Sequence, residues 1–183
     1  MEIIFIRHTE KEETGEDPYL TKKGIKQAKH LSKRLKKEKF DKFYCSDMNR
    51  AKQTANIVSK KIGIKLKIEK SLNEFESETL IKNKSKWSKG ERDHYLKLIS
   101  FLKKITKKPE DKKSILIIAH GVTNRIILSH FLRLNLNKLI TFRQSESALN
   151  SIYWNKRFKN WRLKIWNDNH FIPEKLRCNE FNY

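Results

Sequence analysis

Two unbroken apolar runs punctuate an otherwise polar chain. Ile3 to Ile6 leads into Arg7-His8, and Ile115 to Ala119 leads into His120-Gly121. Continuous β-branched runs, rather than alternating ones, predict strands buried on both faces. Helical spacing appears between and after them. Ile25, Ala28, Leu31 and Leu35 share one face of a helix predicted over Ile25 to Lys37, with Thr21 as its N-cap. Phe40 to Cys45 reads as a short strand. Ser46 or Asp47 is then expected to cap a second helix carrying Ala51, Thr54, Ala55, Val58 and Ile62 on one stripe. Ile64 to Ile68 is a further strand. Residues 75 to 90 are charged and aperiodic and read as a loop. Tyr95, Leu98, Ile99, Leu102 and Ile105 mark a third helix, ended by Pro109 to Asp111. Val122 to Leu134 is apolar all round and predicts a buried helix. Ser151 to Trp154 and Trp161 to Trp166 predict a terminal hairpin. The alternation of strand and helix predicts an α/β fold, a three-layer αβα sandwich with a mostly parallel central sheet.

Composition narrows the class. The 183 residues suit one domain with a sizeable core. No internal repeat or linker divides it, so residues 1–172 are expected to form the domain and 173–183 a loose tail. No stretch reaches the ~20 apolar residues of a membrane span, and a strand rather than a cleavable leader opens the chain. Cys45 and Cys178 match no metal spacing or disulfide framework. The expectation is a reduced, cytoplasmic protein that does not engage a membrane. The net charge of +21 favours anionic ligands. Its lysines are dispersed over every helix and loop, which argues against a dedicated nucleic-acid stripe. The segment Trp154 to Arg162 mixes aromatics with cations, as single-strand binders do. Its alternation fits a half-buried hairpin better, so no specific nucleic-acid partner is expected.

The two histidines carry the chemistry. Each sits where a buried strand hands over to a loop, the edge at which open α/β sheets bind ligands. One histidine there would be ordinary. Two, with Arg7 beside the first, predict a site for an anion.

The motifs form an ordered set. Arg7-His8 follows the first strand, and Leu20 to Ala28, with Gly24 and Gln27, opens the first helix. Ser46 to Ala55, with Arg50 and Gln53, opens the second. Leu72-Asn73-Glu74 follows the third strand and Ala119-His120-Gly121 closes the fourth. Over residues 2 to about 134 this set resembles the histidine phosphatase superfamily, the phosphoglycerate-mutase-like proteins. The resemblance extends to Asn150-Ser151-Ile152 and Asn167-Asp168 near the end of the chain. It implies a metal-independent phosphomonoesterase with no cofactor, acting on a small phosphorylated substrate through phosphohistidine. His8 is then the nucleophile. Arg7 and Arg50 hold the phosphoryl oxygens with planar, permanently charged forks. His120 donates to the transferring group, and Glu74 is the general acid. Glu76 and Glu78 are near enough to compete for that last role. Arg125 either lines the site or is a helix-surface charge. His30, His94, His130 and His170 have no ligand-like spacing.

The chain departs from the family pattern in three places. Thr9 replaces the glycine that follows the Arg-His pair, and Lys11 and Thr14 replace a threonine and an asparagine. Glu76-Ser77-Glu78 stands where a Gly-Trp-Glu-Gly-like stretch is common. These changes leave the substrate open. Two other readings share the fold: a mutase-type phosphotransferase, and a non-catalytic protein binding anions or nucleic acid.

Overall fold

The computed structural model describes residues 1–76 and 84–178. Among them, six strands form one sheet: β1 (Glu2–Arg7), β2 (Lys42–Cys45), β3 (Leu66–Ile68), β4 (Ser114–Ala119), β5 (Leu149–Asn155) and β6 (Asn160–Asp168). Their order is β3-β2-β4-β1-β5-β6. The first four are mutually parallel, while β5 runs antiparallel to β1 and β6 antiparallel to β5. Four α-helices accompany the sheet: α1 (Lys22–Leu35), α2 (Asn49–Ile62), α3 (Lys89–Ile105) and α4 (Gly121–Leu132).

The central strands are apolar throughout because helices cover both of their faces. Ile3 and Phe5 of β1 join Leu98, Leu102, Ile126 and Ile127 of α3 and α4 in one core. Ile4 and Ile6 point the other way, to Leu31 and Leu35 of α1 and Ala51, Ala55 and Val58 of α2. Burial of each large side chain contributes about 1.5–3 kcal/mol, so neither face can be stripped without loss of the sheet. This is the expected three-layer arrangement. No helix among the described residues is long and apolar enough to cross a membrane.

Local signals behave as their chemistry requires. The Thr21 hydroxyl accepts from Gly24 N at 2.8 Å and caps α1, worth about 1 kcal/mol. The expected cap of α2 by Ser46 or Asp47 is not what forms. The helix starts later, after Met48, and its first amide, Asn49 N, donates to the Asp17 carboxylate at 2.9 Å. Ser46 is already committed to other partners. The expected loop over 75 to 90 also needs correction. Ser88 and Glu91 form a capping box that starts α3 at Lys89. Phe75 and Trp87, from the same stretch, insert into the core between sheet and α3. The hairpin forms, and Trp161 packs on Phe131 of α4 at 4.7 Å between ring centroids, with Trp154 against Trp161 at 5.8 Å. Residues 173–178, expected within a loose tail, are docked: Gln27 Nε2 donates to Leu176 O at 2.7 Å.

Gly24 lies where α1 meets the loop after β1. A Cβ there would run into the Glu10 carbonyl. Gly24→Ala should therefore lower stability by about 1–3 kcal/mol through overpacking, despite alanine's better helix propensity. Thermal unfolding checks this. A fall in Tm of several degrees is expected; an unchanged or higher Tm would refute the close approach.

Candidate active site

Sheet topology decides the site. β1 and β4 are parallel neighbours in the register Arg7 to Ala119. The next residue of each strand is His8 and His120, so the two rings leave the same sheet edge side by side. Their centroids lie 5.1 Å apart, edge to face. Both are buried, 2% and 0% exposed. Burial, followed by the Arg7 charge, pushes His8 well below the ordinary histidine range. Burial, then His8 and the two arginines, does the same to His120. Both shifts favour the neutral ring.

The His8 tautomer is set by its backbone. Nδ1 lies 2.8 Å from the Thr9 carbonyl, an oxygen that can only accept. Nδ1 therefore carries the proton and Nε2 keeps its lone pair. Arg50 Nε donates to that Nε2 at 3.2 Å. Thr9 sits comfortably despite its β-branch. It avoids the left-handed region, and its amide donates to Thr54 Oγ1 at 3.2 Å.

The arginines come from two elements. Arg50 belongs to the first turn of α2 and is 7% exposed. Its Nη1 lies 3.5 Å from Asp17 Oδ1. Arg7 closes β1, and its Nη1 donates to Gln144 O at 2.6 Å. A Cβ on Gly121 would lie 3.6 Å from Arg7 Nε, an ordinary contact distance, so this guanidinium passes directly over the start of α4. Arg125 is half-buried, its Nε donating to the Phe142 carbonyl at 2.7 Å. It pins the segment that Arg7 also holds.

Glu74 occupies the N-terminus of α4. Its Oε2 accepts from Gly121 N at 3.0 Å, and Oε1 from Val122 N and Thr123 N, each at 3.1 Å. Burial raises this carboxyl above its usual range, and the Thr123 amide and the Arg7 charge only partly offset that. Glu76 is exposed, and Glu78 lies outside the described residues. A carboxyl with raised proton affinity beside two arginines and two histidines has the character of an acid–base group.

Several neighbours escaped sequence reasoning. Asp17 braces Arg50, and Ser46 joins Asn73 to His120. In the sequence Ser46 reads as a helix cap and as the first residue of the Arg50 motif, with no sign of its partners, and Asp17 carries no local signal. Glu10, Glu146 and Cys178 bring three potential ligand atoms within 4.8 Å of one another. They make a poor metal cradle: Glu10 Oε2 is bound by Lys23 at 2.8 Å. Burial, then the Glu146 charge, pushes the Cys178 thiol up to about 12.

The architecture recurs among solved structures. A phosphoserine phosphatase from Entamoeba histolytica, in complex with 3-phosphoglyceric acid, superposes with a TM-score of 0.77 at 19% identity, covering 94% of this chain and 99% of that one. A mycobacterial glucosyl-3-phosphoglycerate phosphatase gives 0.75 at 16% identity, with 92% and 99% covered. A putative α-ribazole-5′-P phosphatase from Escherichia coli gives 0.73 at 20%, with 92% and 96% covered. At these identities the likeness establishes the fold. No curated protein matches the chain in sequence. The family model of the histidine phosphatase superfamily, branch 1, matches residues 3–87 and 82–169, and to that superfamily this chain belongs.

Proposed function

We propose that the protein is a phosphomonoesterase that works through a phosphohistidine on His8. One observation carries the reading: the Thr9 carbonyl holds the proton on His8 Nδ1, which leaves Nε2 as a nucleophile inside a cationic cluster. The incoming phosphate displaces the Arg50–His8 contact and takes its oxygens to Arg50 and Arg7. Nε2 attacks phosphorus, an N–P bond forms and the bond to the leaving oxygen breaks. Glu74 gives that oxygen its proton. The resulting Glu74 carboxylate then takes a proton from water, whose oxygen attacks phosphorus and releases His8 and inorganic phosphate. The superfamily and its phosphatase neighbours support hydrolysis of phosphate esters.

The positive charge at the site comes from arginines, so the reaction needs no metal. The wild-type protein is expected to release phosphate from 4-nitrophenyl phosphate at the same rate before and after exhaustive chelation. Loss of activity with chelator, restored by a divalent cation, would overturn this mechanism. The dispersed charge of +21 steers anionic substrates inward.

A further inference from the structure

His120 is held by a chain of hydrogen bonds whose directions can be worked out. Asp47 N donates to Asn73 Oδ1 at 2.9 Å. An amide donor there requires the oxygen of Asn73, not its nitrogen. Ser46 Oγ lies 2.8 Å from the same oxygen and must give it its only proton. Met48 N donates to Ser46 Oγ at 3.1 Å. The remaining partner of that hydroxyl is His120 Nε2 at 2.7 Å. The hydroxyl has no second proton to offer, so His120 Nε2 is the protonated nitrogen. His120 Nδ1 then carries a lone pair. It is fully buried and has no partner among the described residues.

We propose that Ser46 and Asn73 are positioning residues that fix His120 as its Nε2–H tautomer, so that Nδ1 can donate to a bound phosphoryl group only as an imidazolium formed when the anion binds. Anion binding would therefore draw one proton from solvent onto Nδ1. The charged donor is worth roughly twice a neutral one, and it acts where transition-state charge grows. The groups around the ring are consistent with this timing. Arg7 of β1, His8 just after it, Arg50 of α2 and His94 of α3 all oppose its protonation. A dianion resting on Arg7 and Arg50 reverses that balance. Glu74 lies one residue along, on Gly121 N.

The inference deepens the phosphatase reading and rests on its assignment of the phosphoryl site. The probe is sulfate, a dianion that takes no proton of its own near neutral pH. Calorimetric titration in two buffers of different ionisation enthalpy counts the protons taken up. The wild type should take up about one proton per sulfate. Ser46→Ala frees Nε2, lets the neutral ring donate from Nδ1, and should bring uptake close to zero. Its kcat/KM for aryl phosphate should fall by up to about 10²-fold, the low end of what a positioned proton donor contributes. Ser46→Thr and Asn73→Asp keep the acceptor chain and should keep the uptake. His120→Gln should bind sulfate without uptake, while His8→Ala should retain it. Sulfate binding without uptake in the wild type, full uptake in Ser46→Ala, or loss of uptake in His8→Ala would each overturn the proposal. Absence of phosphate release would instead sink the phosphatase reading and leave the proton count standing.

Discussion

Replacing His8 with alanine is expected to abolish phosphate release. In the proposed mechanism the ring supplies the electron pair for the N–P bond. Loss of a covalent nucleophile costs on the order of 10⁴–10⁶ in kcat where such residues act as a unit. The ring is also 2% exposed, so its removal leaves a cavity that could unsettle the site. His8→Asn fills much of that space without a nucleophilic nitrogen and should be equally inactive. Thermal unfolding of both variants separates lost chemistry from lost fold. Acid-labile radiolabel trapped on the wild type during turnover, and absent from both variants, would identify the intermediate. Turnover that survives in His8→Asn would disprove the covalent route.

Glu74→Gln should slow an alkyl phosphate far more than 4-nitrophenyl phosphate. An alkoxide leaves poorly without a proton, so loss of the acid should cost about 10²–10⁴ there. Nitrophenolate leaves readily, and the cost should stay below about tenfold, since proton donation then matters little. The comparison belongs on kcat/KM, which covers steps up to the phosphoenzyme and omits the later base role. Burial raises the Glu74 proton affinity, so its acid form persists above the ordinary carboxylate range. The alkyl rate should fall as pH rises through that raised value, and the glutamine variant should lack this limb. Glutamine still accepts from Val122 N and Thr123 N but sets its own NH2 against Gly121 N, leaving a donor without an acceptor at a cost of about 1–3 kcal/mol. Some drop in Tm is therefore expected and does not bear on the ratio. Equal losses on both substrates would remove Glu74 from the acid's role.

Much of this architecture is written locally in the chain. Ile3 to Ile6 and Ile115 to Ala119 are apolar at every position because helices cover both sides of their strands. Burial of that kind leaves a one-dimensional trace. So does the Thr21 cap, whose partner Gly24 is three residues away. His8 and His120 are legible because each sits at a strand end, where local pattern and ligand geometry coincide, while Arg50 joins them only through the motif that carries the family resemblance. Ser88 and Glu91 have the spacing of a capping box, but the charged, aperiodic run around them reads as a loop and hides the start of α3.

What the tertiary structure decided are the polar partnerships across long stretches of chain. Asp17 caps α2 from 32 residues away, and Ser46 joins Asn73 and His120 across 27 and 74 residues. Glu74 stands apart from exposed Glu76 only because α4 presents its free amides to it. Hydrogen bonds are directional and serve single pairs of atoms, so they impose no periodicity on the residues between. A hydrophobic face must repeat to be buried, and it therefore shows in the sequence. A polar contact needs only two groups brought together once, and parallel pairing of β1 with β4 is what brings them there.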